Sequence, residues 1–244
     1  MLLTLNIGNT NTSLGFFEKD KLIKTISFAT QKEIIKKEIE KIKLPVKAII
    51  FCSVVLEIIP LFENILKKHF HINPIQVLSS KITYLPIFYE NLNKLGVDRI
   101  VNCVAGIHQY GKPLIIIDAG TAITFDVINK KGEFIGGVIS AGMEIWNKGL
   151  NQKTSQLPYV EIIKINNIIG QNTIHCIQSG ITFGYIGMIK EIIKQIKKEL
   201  NYAPKIITTG GNSNFIKEQI KSIKLYDSFL TLKGLKKLYD TGYK

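Results

Sequence analysis

Arginine is nearly missing from this chain. Its 244 residues include 31 lysines and one arginine, Arg99, in the stretch "YENLNKLGVDRIVNC". Readers of DNA bases lean on arginine's bidentate fork. A net charge of +13 could serve nucleic acid or a membrane surface, but its lysines are scattered and the fork is almost absent. It reads instead as a lysine bias on solvated helix faces, though a basic surface still draws in anions such as nucleotides. Cysteine is scarce too. Cys52, Cys103 and Cys176 are odd in number, far apart and form no C-x-x-C. That excludes a disulfide framework and a thiolate zinc site, and it fits a reducing compartment with buried thiols. His69 and His71 form an H-x-H, but no third ligand is close in sequence, so they read as ordinary residues. No apolar window reaches the roughly 18–20 residues of a membrane helix. The start, "MLLTLNIGNTNT", has no charged region of the signal-peptide kind. The expectation is a soluble, cytoplasmic protein with no membrane partner.

What is present is an apolar, isoleucine-rich chain, 45% hydrophobic, with enough core for one large domain or two smaller ones. "LLTLNIGNT" and "NTSLGFFEKDKLIKTISF" read as strand, polar turn and strand, with "EKDK" as a hairpin turn. "KEIIKKEIEKIK" is an amphipathic helix stopped at Leu44-Pro45. Its glutamates mark it as a packed helix rather than a membrane-surface one. "VKAIIFCSVV" reads as a buried strand, "LFENILKKHF" as a helix and "IQVLSS" as a short strand. "VDRIVNCVAGIHQYG" reads as a helix up to Gly111, with Cys103, like Cys176 further on, expected in the core.

The pattern then starts again. "KPLIIIDAGTAITFDVINKKGEFIGGVIS" is once more strand, turn, strand, hairpin turn ("NKKG") and strand. Asn6-Ile7-Gly8-Asn9-Thr10 overlays Asp118-Ala119-Gly120-Thr121-Ala122, 112 positions later. "PKIITTGGNS" falls where "VKAIIFCSVV" fell. The order implies two copies of one β-β-β-α-β-α unit, over residues 1–111 and 112–244. A duplicated α/β unit invites a ligand into the cleft between its halves.

Three turns can carry chemistry. In "NIGNTNTS", Gly8 allows close backbone approach, and Asn9, Thr10, Asn11 and Thr12 offer donors suited to phosphate oxygens. An ordinary Asn/Gly hairpin turn would look the same. "DAGTAITFD" repeats the design with a carboxylate, Asp118, that can hold a cation, and Thr121, that can bond a phosphate. "TTGGNSN" sets Gly210-Gly211 after a strand, where a flat base could lie on bare backbone. Each of these two also reads as a plain turn when taken alone.

Taken together, "NIGNTNT", "YENLNKLGVDR", "IIIDAGTAITFDVI", "GGVISAG", "QLP", "IGQNTIHCIQSGITFGYIG", "IITTGG" and "LTLKGL" resemble the type III pantothenate kinase family. The resemblance runs in order from Leu3 to about Leu235. It implies an α/β fold of two duplicated RNase H-like domains of the actin-like ATPase superfamily, with the active site between them. It implies ATP-dependent phosphorylation of pantothenate to 4′-phosphopantothenate, the entry to coenzyme A. The residues it assigns are a phosphate loop of Asn6, Ile7, Gly8, Asn9, Thr10, Asn11, Thr12 and Ser13, with Thr121 as a second phosphate contact. Asp98 matches the proton acceptor. Tyr89, Gly96, Val97, Asp98, Arg99 and Thr173 match pantothenate contacts, and Asp118 matches a ligand of K+ or NH4+. Mg2+ and a homodimer are implied as well. A guanidinium can grip pantothenate's carboxylate in bidentate fashion where an ammonium is a point charge. Arg99 is thus expected to orient the substrate or Asp98, or else to steady the start of its helix.

The sequence departs from the family pattern at Asn6, where an aspartate is usual. Asparagine keeps an oxygen and loses the charge, so metal binding should weaken unless Asp118 or Asp126 compensates. Ser140-Ala141 and the residue after Asn91 lack prolines the family favours, which concerns loop shape. Two other readings stand beside the kinase. One is a nucleotide-binding, kinase-like accessory factor of transcription, suggested by Asn6 and the +13 charge. The other is a different small-molecule kinase on the same fold, against which "GVDR" and "QNTIHCIQSG" argue.

Overall fold

A computed structural model describes residues 1–243. The chain forms two compact units. The first holds Met1–Lys112, Lys130–Gly136 and the C-terminal stretch from Phe229. The second holds Pro113–Asn129 and Gly137–Ser228.

The first unit is built on β1 (Leu2–Ile7), β2 (Asn11–Glu18), β3 (Lys21–Ala29), β4 (Ala48–Ser53) and the two-residue β5 (Ile75–Gln76). Their order across the sheet is β3-β2-β1-β4-β5. The β1–β2 and β2–β3 pairs are antiparallel hairpins, whereas β1–β4 and β4–β5 are parallel. The crossovers are α1 (Lys32–Glu40) and α2 (Ile59–Phe70). Strand alternation decides the two faces. Leu3, Leu5, Ile7, Ile49 and Phe51 pack with Ile35 and Ile39 of α1 and Phe62 and Leu66 of α2. The intervening residues, Thr4, Asn6 and Cys52, belong to the opposite face. The first unit is completed by α3 (Val97–Tyr110) and α7 (Leu230–Asp240), which pack on each other and on β1 and β4.

The second sheet repeats the plan, and all but the first three residues of its edge strand lie in the second unit. Its strands are β6 (Leu114–Ala119), β7 (Ala122–Ile128), β8 (Phe134–Ala141), β9 (Lys205–Thr209) and β10 (Leu225–Tyr226), in the order β10-β9-β6-β7-β8. Read from the other edge this is the order of the first sheet, so the duplication expected from sequence extends to topology. The helices are α4 (Met143–Lys153), the 28-residue α5 (Thr173–Leu200) and α6 (Ser213–Gln219). Ile177, Ile181, Tyr185, Ile189 and Ile193 recur every four residues along α5, which gives it one apolar stripe. That stripe packs with Ile115, Ile117, Ile123 and Phe125.

The halves are not cut as 1–111 and 112–244. The chain leaves the first unit at Lys112, but the hairpin tip 130–136 and α7 return to it. For α7 the cause is its apolar side. Leu232 presses on Gly15 of β2, and Gly234 lies so close to the Val101 carbonyl of α3 that a Cβ there would collide. Cys103 is buried as expected, but Cys176 is exposed. It sits in the first turn of α5, one residue before the buried stripe begins. His69 bonds the Ile42 carbonyl at 2.8 Å, and His71 caps α2 in a left-handed conformation. No group of three potential metal-ligating side chains occurs among the described residues. No described helix is long and apolar enough to cross a membrane.

Candidate active site

In the first unit the ends of β1 and β4 and the start of α3 bring the chemistry together. The β1–β2 turn closes with the Gly8 amide donating to the Asn11 carbonyl at 3.1 Å. A Cβ on Gly8 would stand 3.0 Å from that same oxygen, so glycine is there for closeness. Of the loop Asn6–Ser13, only Asn9, Thr10 and Asn11 are exposed. Ile7 is a core residue and can offer a ligand only its backbone. Thr12 is buried, its hydroxyl 3.0 Å from that of Thr30. The Ser13 and Ser27 hydroxyls stand 3.5 Å apart. Asn6 pairs in register with Cys52, and the Cys52 thiol donates to Asn6 Oδ1 at 3.4 Å. Burial pushes the Cys52 thiol well above its ordinary value, and the negative charge of Asp98 adds to the effect.

Asp98 is the second residue of α3. Its Oδ1 accepts the Arg99 amide at 2.9 Å, within the first turn, where the positive end of the helix favours a carboxylate. Gly96 makes room for it, because a Cβ there would come within 2.8 Å of Asp98 Oδ1. The Asp98 carboxyl is nonetheless held above the ordinary aspartate value. Burial is the main cause, and the Arg99 amide and the Arg99 charge oppose it. A carboxylate with raised proton affinity is the better general base.

Arg99 is only 6% exposed. Its guanidinium carbon lies 5.9 Å from the Tyr89 ring centroid and 5.6 Å from that of Phe134. Backbone bonds tie Phe134 to the segment that leads into Tyr89. The Phe134 amide donates to the Pro86 carbonyl at 2.9 Å, and the Phe88 amide to the Phe134 carbonyl at 2.8 Å. Phe134 is thus a site residue that sequence reading missed. It lies 35 positions beyond Arg99, at the start of β8, and nothing local marks it. Beside Gly96 and Val97 is a pocket of about 270 Å³, lined also by Ser53, Leu78, Ser79 and Asn93.

In the second unit, Asp118 ends β6, in register with Thr124 on one side and Thr209 on the other. It is half-buried and packs under Gly210. Gly210 has φ +87, and a Cβ there would meet the Asp118 carboxylate and the Ala119 backbone. Gly142 is pressed equally close to the Gly120 and Thr121 carbonyls, and its amide donates to Thr121. The exposed Thr121 and the bare Gly211 stand on this turn cluster. A half-buried carboxylate beside backbone carbonyls is a set of oxygen donors of the kind hard cations take. Tyr185 is fully buried, and its hydroxyl has no hydrogen-bond partner among the described residues. Asp126 is fully buried and accepts from Thr124 at 3.3 Å, so it offers no open ligand that could replace a carboxylate at position 6. Thr173 is the exposed first residue of α5, following Asn172, whose side chain caps the helix by accepting the His175 amide at 2.9 Å.

Two five-stranded α/β units of one topology, each with a polar turn after its first strand, are the architecture of the actin-like ATPases. Solved structures agree on the fold. A Campylobacter jejuni protein assigned to the Baf family of transcriptional activators matches with a TM-score of 0.64 at 21% identity, over 98% of both chains. The Acidaminococcus fermentans (R)-2-hydroxyglutaryl-CoA dehydratase component A matches at 0.58 and 10% identity, over 100% of this chain and 99% of that one. The activator of the 2-hydroxyisocaproyl-CoA dehydratase from Clostridium difficile, solved with bound ADPNP, matches at 0.51 and 8% identity, over 98% of this chain and 93% of that one. Within this fold the sequence is more specific. The type III pantothenate kinase family model matches residues 2–195, and the chain belongs to that family.

Proposed function

We propose that this protein transfers the γ-phosphoryl group of ATP to the primary hydroxyl of pantothenate. The observation that carries this reading is Asp98. A carboxylate of raised proton affinity, fixed on the first turn of α3 behind Gly96, suits a general base for a substrate hydroxyl. Phosphoryl transfer asks the protein mainly for positioning and charge stabilisation. The exposed donors of Asn9, Thr10 and Asn11 would hold phosphate oxygens, with Thr121 as a second contact. Asp118 would hold K+ or NH4+, and the open backbone at Gly211 would lie against adenine. Mg2+ arriving with ATP would neutralise charge on the transferring phosphate. Tyr89, Gly96, Val97, Arg99 and Thr173 would contact pantothenate, with the pocket beside Gly96 and Val97 as its entry. Arg99, packed against two rings, would also hold Tyr89 in place. A homodimer is part of this reading, and sedimentation velocity checks it.

The test is ADP release by the purified protein with ATP, Mg2+ and K+, with and without pantothenate, beside Asp98→Asn. Pantothenate-dependent release that disappears in the variant supports the reading. Pantothenate-independent behaviour of both proteins would refute it. The +13 charge and the fold shared with a Baf-assigned protein favour one other reading, a nucleotide-binding accessory factor of transcription. Salt-sensitive DNA retention without turnover would bring it forward.

A further inference from the structure

Asn6 occupies the end of β1, and its neighbour across the parallel pair is Cys52. Both side chains lie on the sheet face that carries α3 and α7, not on the face packed against α1 and α2. The Cys52 thiol donates to Asn6 Oδ1 at 3.4 Å. Burial and the Asp98 charge both keep the proton on sulfur, so the thiol can donate, and the atom it meets is Asn6 Oδ1. This contact fixes which way the amide faces, since a planar amide with its oxygen committed has only its NH2 left to offer. An oxygen that already receives a thiol proton has one lone pair left, and as a neutral amide it draws a divalent ion less than a carboxylate would. The asparagine therefore does not behave as a weakened aspartate.

We propose that Asn6 is a hydrogen-bond donor to a phosphate oxygen of the nucleotide and not a ligand of its divalent ion, and that Cys52 is the positioning residue that sets it so. This rests on the kinase reading for the identity of the ligand. The loop Asn6–Ser13 then meets phosphate with donors alone, because it contains no carboxylate. Neutrality at position 6 has a second consequence. An aspartate there would add a like charge to the cluster that holds Asp98, whose carboxyl is already reluctant to ionise, and would push both carboxyls up further.

The test is ATP binding by calorimetry, in EDTA and again in Mg2+, for wild type, Asn6→Asp, Cys52→Ser and Cys52→Ala, with the pH profile of turnover recorded beside it. Wild type should bind metal-free ATP with a Kd within about threefold of the Mg2+ value. Asn6→Asp is isosteric, so folding is not at stake. It should weaken metal-free binding about tenfold or more, since it replaces a donor to an anion with a like charge. It should also move the acid limb of the turnover profile to higher pH. Cys52→Ala should raise the Kd a few-fold, and Cys52→Ser, which restores a donor, should recover it. A merely structural cysteine would lower the thermal midpoint and leave Kd and pH profile alone. Tighter Mg2+-ATP binding and faster turnover in Asn6→Asp would overturn the proposal and mark Asn6 as a lost metal ligand. If ATP binds with the expected pattern but pantothenate is not phosphorylated, the inference stands and the substrate reading falls. If wild type binds no ATP, both fall.

Discussion

The turns after β1 and β6 share a backbone and differ in charge. Each follows a buried strand, closes over a glycine and faces a parallel neighbour, Cys52 for Asn6 and Thr209 for Asp118. The first presents a neutral amide with its oxygen held by a thiol. The second presents a carboxylate packed under Gly210. Duplication copies the frame because the hydrophobic core fixes it, and Leu5 and Ile7 have counterparts in Ile117 and Ala119. The polar residues at the strand ends are free to diverge. On the proposed reading, one half serves as a donor nest for anions beside a general base, and the other as a seat for a cation.

The largest effect should separate the two carboxylates. Asp98→Asn is expected to lower turnover by about 10²–10⁴-fold, the range of general-base loss, whatever the cation. Asp118→Asn should lose less and shift the dependence on K+. Equal losses with unchanged cation response in both would break the comparison. The pH behaviour follows from the raised Asp98 carboxyl. The folded protein holds this proton to a higher pH than the unfolded chain does, so stability falls as pH rises from the unfolded value through the folded one. Above the ordinary aspartate range the carboxyl is therefore a net liability, and Asp98→Asn should raise the thermal midpoint there while it removes activity. A fall in the midpoint would contradict this.

Gly210→Ala comes next and probes the second turn alone. The left-handed φ costs an alanine about 1–2 kcal/mol, and the collision with Asp118 and Ala119 adds about 1–3 kcal/mol of overpacking. A denaturant melt should show the sum. By contrast, the Cβ of Gly120→Ala would stand 3.5 Å from its nearest neighbour, the Ala122 carbonyl oxygen, an ordinary contact, and the melt should barely move.

Arg99→Lys is expected to lose about 1–2 kcal/mol, through two weakened ring contacts of a desolvated cation, and to raise the KM for pantothenate more than it changes kcat. A double-mutant cycle with Phe134→Leu would show coupling if the rings and the guanidinium act as one. Additive effects would mean that Arg99 touches substrate on its own.

The fold was legible in the sequence because its signals are local or periodic. Apolar runs bounded by polar turns marked β1, β2, β4, β6 and β7, the Lys19-Asp20 and Lys131-Gly132 turns closed the hairpins, and the repeat of Asn6 at Asp118 pointed to the duplication. The membership of α7 was not legible, because its helical pattern says that it packs but not on which unit. Cys176 misled for a related reason, since a cysteine one residue outside a buried stripe looks like one inside it. At the site, Asp98 and Gly96 came from the family resemblance carried by "GVDR", a motif short enough to survive in the sequence. Phe134 and the Cys52–Asn6 bond could not be read from the sequence, as both arise from elements that meet only after the sheets form.

The smallest effect lies at Tyr185. Its buried hydroxyl lacks a partner among the described residues, and its ring stands edge-on to Trp146 at 6.1 Å. An unsatisfied buried hydroxyl costs about 1–3 kcal/mol. Tyr185→Phe keeps the ring and its packing and removes only the oxygen, so it should recover up to about 1 kcal/mol of that. In a chain of this size 1 kcal/mol is about 2–4 °C in Tm. Burial and the Asp118 charge both raise the Tyr185 phenol, so the hydroxyl is a standing donor that has the second turn's carboxylate for an electrostatic neighbour. A water or cation lodged between them would satisfy it, and the phenylalanine would then lower Tm, most of all in K+. The sign of the shift, read with and without K+, decides whether the second turn's charge reaches one side chain deeper into the core or stops at Asp118.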